Sequence, residues 1–401
     1  MAVLPLYADF NKDTTLNIVQ HCHGIVQQLM TTENDQLLVN VLWHLLKCLE
    51  SHHRKIAKWK KKQSEHPISD TSPSEKSKFK QNRITAIEDS IYTKSHLTFN
   101  DVAGLSDAKQ ALYEAIIMPL QFPHLFTGNR RPWKRILLYG PPGTGKSRLA
   151  LALSSAITST FYSISSANLL SSWVGESEKS IKELFQHACR NKSKSVIFID
   201  EIDSLCRKRN VQEEEHTRRF KTELLKQMEG VGNTETKDNI FLLCATNCPW
   251  ELDVAFLRRF QKRIYIPLPD KDARVQLFKI HTKNTCLDLS DKDWDSLAEK
   301  THLYSGSDIA NLTLGALFQP IRKMQSAKYW KKTLDGKYLP CESYHPQAIR
   351  TDLKDLPAAS VIPHQVTLED FIKSTQTHTK TVSENDLKQF KDFTQRFGEL
   401  G

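Results

Sequence analysis

No stretch of this 401-residue chain approaches the ~20 consecutive apolar residues that a membrane-spanning helix needs. Its start, MAVLPLYADFNKD, lacks the basic cluster and apolar run of a secretory signal. A cysteine framework is missing too. The eight cysteines, at 22, 48, 189, 206, 244, 248, 286 and 341, are scattered, and Cys244 and Cys248 have no second ligand pair to make a zinc site. Buried thiols in a reducing, intracellular compartment are therefore expected. Acidic residues are in deficit, 46 against 56 Lys and Arg, for a formal charge of +10. Most of the surplus lies between Ser51 and Arg83, where ten basic residues face three acidic ones. Such a tract can meet acidic protein, anionic membrane or nucleic acid, but a solvated linker with a helix tail at its start is the plainer reading. Nothing resembles a recognition helix or a stacking sheet, so nucleic acid is not an expected partner.

What is present suits two or three domains with a sizeable apolar core. Residues 1–62 read as a helical module, because Leu38, Val41, Leu42, Leu45, Leu46 and Leu49 recur at three and four. Residues 63–96 are polar, with Pro67 and Pro73, and read as a flexible basic connector. From 97 to 270, apolar runs at Arg135–Tyr139, Thr160–Ile164, Val196–Ile199, Ile240–Ala245 and Arg263–Ile266 alternate with helical patterns, which predicts an α/β domain with a parallel sheet. Residues 271–327 read as a small helical domain, 328–362 as a short β-insertion, and 363–401 as the remainder of the small domain with a terminal helix, Glu384–Phe397.

The chemistry concentrates in the α/β part. Gly140-Pro-Pro-Gly-Thr-Gly-Lys-Ser147 sits between a strand and a helix, the context a phosphate loop requires. Gly143 and Gly145 permit backbone N–H groups to converge on phosphate oxygens at a helix N-terminus. Lys146 can reach the β- and γ-phosphates, and Ser147 offers a hydroxyl to magnesium. Val196-Ile-Phe-Ile-Asp-Glu201 is an apolar strand that ends on two carboxylates. Asp200 is the expected magnesium partner and Glu201 the group that polarises the attacking water. The strand Ile240–Ala245 delivers Thr246 and Asn247, a polar group to orient water or a cap for the next turn. Arg258 and Arg259 before Phe260 form either a charge clamp for a phosphoryl group or, with Lys262 and Arg263, a basic corner.

The whole of 97–270 resembles the AAA ATPases of the meiotic clade, nearest to the vacuolar-protein-sorting ATPase that dismantles ESCRT filaments, alongside katanin, spastin and fidgetin. The markers are Phe99-Asn-Asp-Val-Ala-Gly104, Phe122-Pro-His-Leu-Phe126, Gly140–Ser147, Val174-Gly-Glu-Ser-Glu-Lys179, Ile199-Asp-Glu-Ile-Asp203, Ala245-Thr-Asn247 and Arg258-Arg-Phe260. In the flanks, Pro320–Ala327, Pro340-Cys341, Thr381–Lys388 and Lys391–Gly398 resemble the sorting ATPase, with its small β-domain and returning terminal helix.

The resemblance implies a hexameric ring assembled on ATP binding, with Arg258 and Arg259 reaching the neighbour's nucleotide and Asn247 as sensor. It implies ATP and Mg2+ as ligands. Asp101, Ala103, Gly140, Pro141, Pro142, Gly143, Thr144, Gly145, Lys146, Ser147, Arg148, Gly306 and Ser307 would line the nucleotide, with Ser147 and Asp200 at the metal. Trp173 and Val174 match a pore loop that grips extended polypeptide. The implied partners are ESCRT filament tails, held by a divergent microtubule-interacting-and-trafficking module at 1–62, and an activator on the β-domain. The implied location is cytoplasmic, with peripheral recruitment to endosomal and division-site membranes. Two departures stand out: Ser172 replaces the lysine usual before the pore aromatic, and Arg207–His216, at the second pore loop, is dense in charge. Tubulin tails, as for katanin or spastin, are the alternative substrate, and a non-hydrolysing nucleotide-dependent scaffold is the alternative of another class.

Overall fold

The strands of the central sheet are apolar along their whole length, so both faces must be covered. In the computed structural model, which describes residues 84–398 except 93–96, 167–168, 170–176, 192–193, 208–214, 233–238 and 284, this is what occurs. Five parallel strands, β1 (Arg135–Tyr139), β2 (Thr160–Ser165), β3 (Ser195–Asp200), β4 (Ile240–Thr246) and β5 (Lys262–Tyr265), run in the order β2-β3-β4-β1-β5. All five lie within a residue of the expected apolar runs. The helical module expected over 1–62, and Trp173 and Val174, lie outside the described residues.

Strand periodicity sorts the core into two faces. Leu137, Tyr139, Ile197, Ile199, Leu242 and Cys244 point to one side. There they meet Ile181, Leu184 and Phe185 of α3 (Ser177–Arg190) and Phe220, Leu224 and Met228 of α4 (Glu215–Gly230), which follow α1 (Ser106–Leu112) and α2 (Lys146–Ala156) in the chain. Ile136, Leu138, Val196, Phe198, Phe241 and Leu243 point to the other side, onto Leu112 of α1 and Leu149 and Leu153 of α2.

A smaller domain follows, with its own core of Phe278, Trp294, Leu297, Ile309, Leu312 and Phe371. Its helices are α5 (Lys271–Thr282), α6 (Asp291–Lys300), α7 (Gly306–Leu317), α8 (Gln319–Ser326) and α9 (Leu368–Thr377). Between α5 and α6 runs β6 (Leu287–Asp288). After α8 comes a three-stranded antiparallel sheet in which β7 (Tyr329–Lys332) lies between β8 (Tyr338–Pro340) and β9 (Ile349–Arg350). The excursion closes where β10 (Val366–Thr367) pairs with β6. The terminal helix α10 (Glu384–Phe397) crosses back and sinks Phe390 and Phe393 into the core of the large domain.

One expectation needs correction. Residues 84–92 fall within the stretch read as a connector, yet they are built into the domain. Ile87 is buried in a helical turn over 84–89, the Tyr92 N–H donates to Phe161 O at 2.8 Å, and the Ser163 N–H donates to Ser90 O at 2.9 Å. The backbone of β2 at the sheet edge is thereby paired and covered, which an open edge strand requires.

Candidate active site

Strand order determines what can meet. β4 lies between β1 and β3, so the C-terminal ends of these three strands stand side by side. Open α/β sheets bind ligands at such ends. The phosphate loop leaves β1, Asp200 and Glu201 leave β3, and Thr246 and Asn247 leave β4.

The loop itself admits few alternatives. A Cβ at Gly140 would stand 2.1 Å from the Ile266 carbonyl oxygen. Gly143 has φ +74°, and a Cβ there would stand 2.0 Å from Ser307 Oγ. This closeness is how the loop meets the small domain, for the Ser307 N–H donates to Gly143 O at 3.2 Å. Ser305 caps α7 through a reciprocal box with Asp308, whose buried carboxylate also accepts from Thr381 Oγ1 at 3.0 Å.

Lys146, at the start of α2, is 6% exposed and donates from Nζ to Gly140 O and Pro141 O, both at 2.8 Å. Thr144 Oγ1 also donates to Pro141 O. Burial pushes the Lys146 ammonium down to about 8, against an opposing pull from Asp200 and Asp203. Ser147 Oγ donates to Asp200 Oδ2 at 2.5 Å, and the Glu201 N–H donates to Asp200 Oδ1 at 3.0 Å. Glu201 is exposed and has φ +51°, an uncommon conformation for a non-glycine residue that turns the chain sharply after the strand. Thr246 Oγ1 donates to Asp203 Oδ1 at 2.7 Å and the Ile202 N–H donates to Ala245 O at 2.9 Å, tying the carboxylate turn to β4. Asn247 is half-buried beside this link.

Next to this cluster a cavity of about 710 Å³ opens between the sheet and the small domain. Asp101, Ala103, Gly143, Thr144, Gly145, Arg148, Gly306 and Ser307 all line it. Asp101 has a local task as well: its Oδ2 accepts from the Thr98 N–H and hydroxyl, both at 2.8 Å, which holds its carboxyl below the usual range. Pro141 is buried and Pro142 exposed within the loop. Arg258 and Arg259 lie outside the lining of this cavity. Leu277, His281 and Thr394 also line it, and no motif in the sequence pointed to them. Burial and the nearby Arg148 charge push the His281 imidazole below its ordinary pKa, which keeps it neutral near neutrality.

A phosphate loop, a carboxylate pair at the end of a central strand and a cavity closed by a helical domain define an AAA ATPase, an enzyme that hydrolyses ATP. Residues 136–268 match the ATPase family associated with various cellular activities, and residues 338–398 match the Vps4 C terminal oligomerisation domain. The chain is 47% identical over 349 residues to Protein SUPPRESSOR OF K(+) TRANSPORT GROWTH DEFECT 1 of Arabidopsis thaliana, covering 86% of this chain and 79% of that one. It is 46% identical over 337 residues to vacuolar protein sorting-associated protein 4A of Homo sapiens, covering 81% and 76%. Among solved structures, the FIGL-1 AAA domain in complex with ADP aligns with TM-score 0.66 and 35% identity, over 83% of this chain and 100% of that one. The chain belongs to the vacuolar protein sorting-associated protein 4 family of AAA ATPases.

ATP binding should report the buried lysine directly. The free protein loses the Lys146 proton above about pH 8, whereas an unperturbed lysine holds it to 10.5. Nucleotide phosphates favour the charged form, so affinity should be flat below that pH and fall by up to about tenfold per unit above it. Titration with ATP at pH 7 and pH 9 should show roughly tenfold weaker binding at the higher pH. Equal affinities would contradict the depressed lysine.

Proposed function

We propose that this chain works as an ATP-driven ring, a hexamer assembled on ATP binding, that extracts subunits from ESCRT filaments. The observation that carries the ring is the position of the arginine pair. Arg258 is exposed and outside the lining of its own cavity, a placement that suits contact with a second subunit's nucleotide. The match to an oligomerisation domain over 338–398 supports the same reading.

Within one subunit, backbone N–H groups of Gly143–Ser147 and the Lys146 ammonium bind the phosphates, and the small-domain turn at Gly306 and Ser307 closes over the nucleotide. Ser147 and Asp200 would hold Mg2+, for which a hydroxyl and a carboxylate 2.5 Å apart are suitable hard oxygen donors. The ion would supply charge neutralisation on the phosphates. Glu201 accepts the proton of the attacking water, Asn247 orients that water, and the neighbour's arginine stabilises charge on the transferring group. Trp173 and Val174 grip the extended substrate in the pore. A divergent module at 1–62 binds filament tails, and an activator docks on the β-insertion. Recruitment to endosomal and division-site membranes is peripheral and through partners; no described helix is long and apolar enough to cross a membrane.

Turnover in the presence of purified ESCRT filament tails or tubulin tails separates the substrates. Stimulation by filament tails is expected. Stimulation by tubulin alone would transfer the chain to the severing type, and no turnover above that of Glu201→Gln would leave only a scaffold.

A further inference from the structure

The residues that follow Asp200 and Glu201 and the residues that lead to the arginine pair run side by side. From Glu201 the chain turns into the short helix Asp203–Cys206, with the Ser204 N–H donating to Glu201 O at 3.2 Å and the Cys206 N–H to Ile202 O at 3.0 Å. From Thr246 it passes through a helical turn, Pro249–Glu251, to the short helix Val254–Leu257 and the arginines at 258 and 259. The two paths join at Arg207. This residue forms an antiparallel bridge with Leu252, and the Asp253 N–H donates to Cys206 O at 2.9 Å. Asp253 in turn caps the helix before the arginines by accepting from the Ala255 N–H at 2.9 Å.

One ion pair closes this junction. Arg207 Nε stands 2.8 Å from Glu251 Oε2, and that oxygen is shut off from solvent. A carboxylate oxygen withdrawn from water needs a facing cation, and Arg207 provides it. The Arg207 carbonyl accepts from Lys221 Nζ of α4 at 2.8 Å, which ties the same residue to the body of the large domain. The two side chains as wholes are 64% and 35% exposed, so the pair adds little to overall stability. Neither residue lines the nucleotide cavity. What the pair determines is where the approach to the arginines lies against the carboxylate turn.

We propose that Arg207 and Glu251 are positioning residues whose ion pair clamps the arginine-bearing turn to the turn that carries Glu201. The clamp sets where both arginines stand for the neighbouring subunit's nucleotide. A subunit's own carboxylate turn and the arginines it lends to the next subunit thereby move as one piece. This rests on the ring reading above and adds to it what holds the lent groups in place.

The test is steady-state turnover of the full chain at protein concentrations where subunits are assembled, with kcat and KM for ATP measured separately and the thermal midpoint alongside. Glu251→Gln and Arg207→Ala should each lower kcat about tenfold with KM unchanged, since a misplacement of about 1 Å can cost up to ~10²-fold. The double variant should be no slower than either single one, because both changes remove the same contact. Arg207→Glu alone sets two carboxylates against each other and should be the slowest of the set. Adding Glu251→Arg to it reverses the pair and should restore most of the lost kcat. A merely structural role would lower the thermal midpoint and leave kcat per folded subunit at the wild-type value. Wild-type kcat in both single variants, losses that multiply in the double variant, or no recovery on reversal would each overturn the inference. Replacing both arginines separates the clamp from the ring. Wild-type turnover in Arg258→Ala/Arg259→Ala would remove the ring reading itself, whereas inactivity there with Glu251→Gln at the wild-type rate would overturn the clamp alone.

Discussion

Glu201→Gln should lower ATP turnover about 10³-fold, within the 10²–10⁴ that a positioned general base contributes, and leave nucleotide affinity within a factor of about two. The split follows from what each carboxylate touches. Asp200 is tied to the loop through Ser147 Oγ, and its other oxygen accepts the Glu201 N–H. The Glu201 side chain is exposed and takes no part in that pair. Glutamine keeps its shape and removes only the proton acceptor. Asp200→Asn, by contrast, should weaken binding and hydrolysis together, because it alters the partner of Ser147. Single-turnover hydrolysis and equilibrium binding of a fluorescent nucleotide separate the two variants. Loss of affinity in Glu201→Gln equal to its loss of turnover would remove the residue from the chemistry.

The second large effect is expected far along the chain from the phosphate loop. Phe390→Ala should destabilise the protein by about 3–5 kcal/mol, the cost of deleting a fully buried aromatic side chain. Phe390 is 1% exposed, and its ring centroid lies 4.9 Å from that of Trp250 and 6.1 Å from that of Tyr265. One turn on, Phe393 meets Tyr139 at 5.1 Å, and the Tyr139 hydroxyl donates to Thr394 Oγ1 at 2.9 Å. Tyr139 immediately precedes Gly140, so loosening α10 frees the strand residue from which the phosphate loop starts. A lowered denaturation midpoint together with weaker nucleotide binding is the expected result. An unchanged midpoint would mean that the helix is not held where Phe390 places it.

The parts legible in the sequence are those where one physical requirement acts over many residues. Fully buried parallel strands must be apolar throughout, so β1 to β5 announce themselves. Phe390, Phe393 and Phe397 recur at helical spacing, and α10 has the expected bounds. The phosphate loop is specific because glycine is required by close approach at Gly140 and Gly143.

What escaped depends on contacts distant in sequence. β6 and β10 are two residues each and exist only because they pair with one another. The segment 84–92 has no long apolar run and follows a polar stretch, and it becomes structured through the buried Ile87 and the free edge of β2. His281 and Thr394 are ordinary residues on helical patterns, and only packing of the small domain and α10 brings them to the nucleotide cavity. The arginines at 258 and 259 are alike in sequence; that Arg259 pairs with Glu229, thirty residues before it, is visible only in the fold.

The most direct test of the whole account is ATP turnover per subunit as a function of protein concentration. A site completed by a neighbour's arginine should show turnover that rises cooperatively with concentration to a plateau, and added Arg258→Ala subunits should depress that plateau in proportion to their share. Turnover per subunit that is constant down to the lowest concentration, and indifferent to added Arg258→Ala protein, would contradict it.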